Sequence, residues 1–307
     1  MTAPALASWI DTLPPPRGTV VRDAPVAAMT WLKVGGPADL LFTPADIDDL
    51  TTFLTNVPAD VPITIIGAGS NLLVRDGGLD GAVVRLGPVF ANIAIDGTRI
   101  RAGAGARDSA VAEAAAQNGL AGLEFLTTIP GAIGGAVAMN AGAFGREVKD
   151  VLVSATLVTR AGRLFNLDCT GLGLDYRSSV LPDGAVIIEV EIEGVTGSVS
   201  AIRARMNEMI EKRSTSQPTC VCTGGSTFRN PEGACAWELI ADAGCRGLTC
   251  GGAVISDKHC NFIINSGNAT ALDLETLGET VRKKVKEQSG VTLEWEVRRL
   301  GREKVVP

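Results

Sequence analysis

Between Gly122 and Gly145 the chain reads GLEFLTTIPGAIGGAVAMNAGAFG, and from Phe125 onward this stretch carries no charged side chain. Glycines recur in it at Gly131, Gly134, Gly135, Gly142 and Gly145. Glycine loses more backbone entropy on folding than any other residue, so it is kept where φ must be positive or where another group approaches the main chain. Two arrangements satisfy such a run. One is a glycine turn inside a core; the other is a wall around a large, flat, partly apolar guest whose anionic parts meet backbone N–H groups. A membrane span fits poorly, because Pro130, Asn140 and the repeated glycines would leave backbone groups without partners in lipid.

A second loop upstream favours the guest. In ITIIGAGSNLLVRDGGLDGAVVRL, Ile63–Ile66 reads as a strand entering Gly67-Ala68-Gly69-Ser70-Asn71. A Rossmann turn needs G-x-G-x-x-G opening a helix, but position 72 is Leu. Another apolar run, Leu72–Val74, follows, then a turn at Asp76-Gly77-Gly78 and a strand from Ala82 to Leu86. This pattern is a strand–loop–strand phosphate cradle. Ala102–Ala106 adds a third small-residue loop.

Composition narrows the partners. A chain of 307 residues suits two domains, and 46% hydrophobic against 20% charged residues marks an ordered globular protein. The net charge of -6 without a basic tract speaks against nucleic acid or an anionic membrane. The start, MTAPALASWIDTLPPPRG, lacks a basic segment and is interrupted by Asp11, so it is not a signal peptide and a cytoplasmic location is expected. The seven cysteines are then reduced thiols. Their spacings match no standard zinc or iron–sulfur pattern, and His259 is the sole histidine, so no metal is expected.

Helices are expected after Thr43 as cap, with Ile47, Leu50 and Leu54 inward; from Asp108 as cap to Gly119; over Val199–Lys212 with Ile202, Met206, Met209 and Ile210 on one face; over Ala234–Ala243; and from Thr270 to Gln288. Val151–Val158 and Ala185–Ile192 read as strands flanking the loop LDYRSSVLP. The final segment VTLEWEVRRL alternates as one strand, with Val291, Leu293, Trp295 and Val297 on one face. The pattern divides into a lead-in over 1–18, a first domain over 19–195 and a second over 196–307.

Three side chains could do chemistry. Ser226, in GGSTFRNP, is not a nucleophile elbow, because Phe228 stands where glycine is needed; without a base it can still hand over a proton. Arg177 suits a carboxylate or enolate. Glu296 lies on the polar face of the last segment. Taken singly, a turn hydroxyl, a surface arginine and a solvated carboxylate account for them better; only their relation would make a site.

Six motifs in order, GAGSNLLVRDGGLDGAVV, LEFLTTIPGAIGGAVAMNAGAFG, DYRSS, GSTFRNP, GGAVISDKHCNFIINSGNATALDL and LEWEVRRLG, resemble the UDP-N-acetylenolpyruvoylglucosamine reductase (MurB) family of peptidoglycan synthesis, specifically the branch lacking a tyrosine-bearing insertion. The resemblance implies an α+β chain: a vanillyl-alcohol-oxidase (PCMH) type FAD-binding fold in two subdomains, about 19–86 and 87–195, followed by a C-terminal α+β substrate-binding domain, 196–307. It places FAD along Gly67, Ala68, Gly69, Ser70 and Asn71 and along Ile129, Pro130, Gly131, Gly134, Gly135 and Ala136, with Asn140 and Ala141 close by. NADPH reduces the FAD; the enolpyruvyl UDP-sugar then takes a hydride from FAD N5. Arg177 and Glu296 stabilise the enolate, Ser226 protonates the neighbouring carbon, Tyr176 lines the substrate site, and Arg229 and Asn230 meet phosphate or sugar. No oligomer is required. Thr128 stands where relatives commonly have Gly, and Ser216 where they often have Lys. A flavin oxidase of the same fold, and a nucleotide-binding module without turnover, remain the alternatives.

Overall fold

The computed structural model describes residues 9–304; the first eight residues of the expected lead-in lie outside them. The chain forms two compact units, each discontinuous in sequence. The first comprises the described part of Met1–Arg22, with Asp39–Ala68 and Gly81–Arg213; the second comprises Asp23–Ala38, Gly69–Asp80 and the described part of Ser214–Pro307.

The first unit holds two cores. One lies under a four-stranded sheet ordered Thr19–Pro25, Pro37–Thr43, Leu79–Arg85, Ile63–Ile66. Helix α1 (Ile47–Asn56) covers it with Leu50, Phe53 and Leu54, and Phe53 stacks on Phe42 with ring centroids 4.1 Å apart. The N-cap of α1 is Asp46, whose carboxylate accepts from Asp49 N–H at 2.9 Å, so the helix starts later than the Thr43 cap expected. Trp9, from the described part of the lead-in, joins this core.

The other core sits under a five-stranded antiparallel sheet ordered Leu164–Leu167, Leu152–Val158, Val186–Glu193, Arg99–Gly103, Ile93–Asp96. Helices α2 (Asp108–Gln117) and α3 (Ile133–Ala138) pack there through Val111, Ala112, Ala115, Ile133 and Val137. Helix α4 (Val199–Ser216) contributes Ile202 and Met206 to the same core. Because that apolar face is buried here, α4 through Arg213 goes with the first unit, whereas the expected division falls ahead of it. Ile210, expected on the apolar face, is exposed.

The second unit pairs Cys222–Thr223, Ile263–Asn265, Ala253–Ile255 and Thr249–Cys250 in an antiparallel sheet, with helices α5 (Ala236–Asp242) and α6 (Ala271–Ser289). Helix α6 opens on Thr270 in a capping box with Asp273 and closes on Gly290 at φ +75°; Leu274, Leu277, Val281 and Val285 form its buried stripe. Residues 69–80 belong to this unit for two physical reasons. Leu72–Val74 pairs in parallel with Arg298–Leu300. The Asp76 carboxylate accepts from Ala271 N–H and Leu272 N–H, both at 3.0 Å, satisfying two orphan donors at the start of α6.

The expected last strand keeps its alternation, with Leu293 and Val297 buried and Thr292, Glu294 and Arg298 exposed, but only Arg298–Leu300 forms a regular strand. Ahead of it the ladder is interrupted: Thr227 O accepts from Glu296 N–H at 2.8 Å and from Val297 N–H at 3.3 Å, so two residues oppose one.

Candidate active site

In the first unit two bare stretches of main chain come together. Gly67 is exposed at the end of its strand, and a Cβ built on it would find Ala132 Cβ, 3.9 Å away, as its nearest neighbour. Ala132 is the N-cap of α3. The loop before α3 is held by Ile133 N–H donating to Ala106 O at 2.8 Å and Gly134 N–H to Ala104 O at 3.0 Å. Gly134 is required by packing, since a Cβ there would stand 2.7 Å from Ala104 Cβ; its amide is engaged by the protein, so it contributes shape. Gly135 is exposed, with nothing within 4 Å of an added Cβ.

Beside the loop, Asp108 N–H donates to Gly131 O at 3.4 Å. Asp108 is the first residue of α2 and not its cap, which is Arg107. Its carboxyl is fully buried, both oxygens lack a hydrogen-bond partner among the described residues, and burial pushes its pKa up to about 8. At neutral pH this acid is therefore largely uncharged. The open main chain at Gly67 and Gly135, where an added Cβ would meet little or nothing, fits a flat cofactor carrying a diphosphate.

Just beyond α3, Asn140 has φ +39° and is fully buried. Its amide nitrogen donates to Glu147 Oε2 at 3.1 Å and to Asp175 O at 3.0 Å, and its Oδ1 accepts from Lys149 N–H at 2.9 Å. The side chain expected beside the cofactor is thus engaged within the protein. Asp175 and Ser178 exchange backbone hydrogen bonds at 3.1 and 3.0 Å, closing a tight turn around Tyr176 and Arg177. Ser179 Oγ ties the turn to Ala138 O at 2.8 Å. Arg177 sits at φ +54°; its Nη2 donates to Gly142 O at 3.1 Å, and its Nη1 lies 3.5 Å from both Asn140 O and Glu147 Oε1. Tyr176, exposed, has the Arg177 guanidinium 4.9 Å from its ring centroid.

In the second unit the loop continues through Gly69, φ +66°, where a side chain would collide with Met29 O. Asn71 joins it to the last segment: Asn71 Nδ2 donates to Glu296 O at 3.0 Å, and Asn71 O accepts from Arg298 N–H at 3.0 Å. Glu296 is half-buried and opposes Thr227, which follows the half-buried Ser226. The main chain therefore brings together Asn71, the segment carrying Glu296 and the segment carrying Ser226. Arg229 N–H donates to Glu294 O at 2.9 Å on the same pairing, while Asn230 Oδ1 accepts from Ala236 N–H at 3.0 Å, caps the start of α5 and so has a structural duty besides the expected ligand contact.

Two supporting residues escaped the sequence reading. Asn261, buried, grips both sides of Phe228, accepting from its N–H at 2.9 Å and donating to its carbonyl at 2.8 Å; its only signal was an amide within an apolar run. Gly278 leaves a notch in α6 for the Trp295 ring, where an added Cβ would run into Cη2 and Cζ2. Trp295 Nε1 donates to Glu279 Oε1 at 2.8 Å, and its ring lies 5.0 Å from Phe228.

Among the described residues no cluster of three or more His, Cys, Asp or Glu could hold a metal ion, and no helix is long and apolar enough to cross a membrane.

Residues 217–300 match the family model described as UDP-N-acetylenolpyruvoylglucosamine reductase, C-terminal domain, and residues 38–168 match the one described as FAD binding domain. The UDP-N-acetylenolpyruvoylglucosamine reductase of Parvibaculum lavamentivorans is 56% identical over 98% of this chain and 97% of its own length. That of Paramagnetospirillum magneticum is 54% identical over 98% of each. A crystal structure of UDP-N-acetylenolpyruvylglucosamine reductase (MurB) from Thermus caldophilus aligns with a TM-score of 0.81 at 34% identity, covering 93% of this chain and 99% of the other. The α+β architecture expected from the motifs, an FAD-binding domain followed by a C-terminal domain of the reductase family, is the one found.

Proposed function

This chain belongs to the UDP-N-acetylenolpyruvoylglucosamine reductase family of FAD-dependent oxidoreductases, and we propose that it reduces the enolpyruvyl group of the UDP-sugar to the lactyl ether of UDP-N-acetylmuramate, with Arg177, Ser226 and Glu296 acting on the substrate. Gly67–Asn71 and Ile129–Ala136 are the residues that would hold FAD, since their glycine main chain would admit a diphosphate. FAD bound there would supply the hydride chemistry that links NADPH to the terminal carbon of the enol ether.

The protein's own part follows from the electron flow. As hydride adds to one carbon, charge builds on the carboxylate side of the double bond. A guanidinium at Arg177 and a protonated carboxyl at Glu296 stabilise that enolate by charge and hydrogen bonding; preorganised donors of this kind contribute about a hundred- to a thousandfold each. Ser226 Oγ delivers the proton to the carbon bearing the ether oxygen, and one hydride plus one proton complete the reduction. Tyr176, beside Arg177, lines the substrate site, and Arg229 meets the phosphate or sugar of the UDP-sugar.

The observation that best supports this reading is the junction of Asn71, Glu296 and Thr227, in which the end of the cofactor loop bonds the main-chain carbonyl of Glu296, whose N–H in turn bonds the segment that carries Ser226. Purified protein should be yellow, bleach anaerobically with NADPH and regain its colour on addition of UDP-N-acetylenolpyruvoylglucosamine. Bleaching without recovery would contradict the substrate; a colourless protein that binds nucleotide would contradict the flavin chemistry.

A further inference from the structure

We propose that Glu147 is a positioning residue for Arg177: it sets the direction of the guanidinium without touching the substrate itself. The inference rests on the role given to Arg177 above. Arg177 is carried on a tight turn, in a left-handed backbone conformation that costs a non-glycine residue free energy, and a long side chain on such a turn has several rotamers open to it. The hairpin formed by Gly142–Ala143 and Arg146–Glu147 restricts that freedom. Gly142 O takes Nη2 at 3.1 Å, and Glu147 Oε1 takes Nη1 at 3.5 Å.

The pair is held loosely, and the reason lies with Glu147. Its other oxygen, Oε2, receives Lys149 Nζ at 2.8 Å and Asn140 Nδ2 at 3.1 Å. Its side chain also accepts the backbone N–H of Asp150. A charge-assisted N–H to carboxylate hydrogen bond runs at about 2.7–2.9 Å, so the tight bond goes to Lys149 and the weaker one to Arg177. A carboxylate whose charge is shared in this way aims the arginine yet competes weakly with an arriving substrate carboxylate. Asn140 makes the arrangement rigid. Buried, with both amide hydrogens and its carbonyl engaged, it bonds Glu147 and the Asp175 turn at once, so the hairpin carboxylate and the arginine turn keep a fixed separation.

The test follows both half-reactions of the FAD-loaded enzyme by anaerobic stopped-flow absorbance in wild type, E147Q, R177A and the double variant. Alongside, the Arg177 Nε–H signal, assigned by its loss in R177A, is followed for solvent exchange by nitrogen-15 NMR. E147Q is expected to slow reoxidation by the UDP-sugar by about ten- to a hundredfold relative to flavin reduction, as a misaimed group does. It should add less than about twofold in the R177A background, because interacting residues are not additive, and should speed Arg177 Nε–H exchange several-fold. Independent losses in the cycle, or unchanged exchange, overturn the proposal. Should R177A reoxidise at the wild-type rate, the catalytic reading of Arg177 falls, and the exchange measurement still decides whether Glu147 holds it. E147D keeps the charge but withdraws it by one methylene; it should show the same signs in smaller size if E147Q does not fold.

Discussion

Replacing Gly278 by alanine sets two physical effects against each other. In the interior of a helix, glycine to alanine ordinarily stabilises by about 1 kcal/mol. Here the added methyl would enter the space of the Trp295 ring, with Cη2 and Cζ2 in collision and Cζ3 at 3.3 Å. The ring cannot retreat freely. It is tied to Glu279 by its N–H at 2.8 Å, packed on Phe228, and covered by the Arg299 guanidinium 4.5 Å from its centroid. Overpacking a filled site costs about 1–3 kcal/mol, loss of the indole hydrogen bond about 1 kcal/mol and loss of the cation–π contact about 0.5–1 kcal/mol. These outweigh the helical gain, and G278A should be less stable by about 2–3 kcal/mol. Because Glu296 follows Trp295 directly, the shift should also lower reoxidation by the UDP-sugar by about tenfold or more while flavin reduction changes less. Urea titration gives the first number and anaerobic stopped-flow the second. If G278A were as stable as wild type or more so, with equal reoxidation, the notch would have no role in placing Glu296.

Ser226→Ala should keep flavin reduction by NADPH and slow reoxidation about a hundred- to ten-thousandfold, the range of general acid catalysis; wild-type turnover would remove Ser226 from the mechanism. Asp108 predicts a pH dependence: its folded pKa of about 8 lies above its unfolded value, so the folded state holds a proton that the unfolded chain releases. Stability is then full in acid and falls from about pH 4 through pH 8, by up to about 1.4 kcal/mol per unit, less where the α2 macrodipole favours the anion. Urea titrations at pH 5 and pH 8 should show D108N flatter than wild type by about 2–4 kcal/mol; parallel profiles would mean that Asp108 finds a partner. Phe144 stands exposed at φ +53° before Gly145 at φ +76°, in a two-residue hairpin turn that favours Asn at its first position. Phe144→Asn should therefore stabilise the fold by up to about 1 kcal/mol, seen as a slightly higher melting temperature; a loss would show that the ring packs against something that outweighs the strain.

What could be read from the sequence was mostly local. The Thr270 cap and Gly290 stop of α6 follow from side chains bonding their own helix ends, and the strands around GAGSN follow from an apolar run broken by glycine. The cap of α1 was misplaced because Thr43 and Asp46 are both good capping residues; the choice is made at a distance, where the Asp49 carboxylate binds the N–H groups of Gly18 and Ala45 at 2.8 and 2.9 Å. The inward face of α4 was legible in Ile202, Met206 and Met209, but not the core that receives it. Nor was the path of residues 69–80, which is fixed by pairing with Arg298–Leu300 and by Asp76 binding the start of α6. The neighbourhood of Ser226 and Glu296 could be foreseen only through the family resemblance, since nothing in their spacing couples them. Glu147 and Asn261 left almost no trace, because each acts through one or two hydrogen bonds that no sequence period encodes.

The most direct measurement is a crystal structure of the FAD-loaded enzyme with the enolpyruvyl UDP-sugar bound. Hydrogen-bond reach of about 3 Å is expected from Arg177 and Glu296 to the substrate carboxylate, and a comparable approach of Ser226 Oγ to the carbon that bears the ether oxygen. A substrate carboxylate contacted by neither Arg177 nor Glu296, or a serine turned away from that carbon, would contradict it.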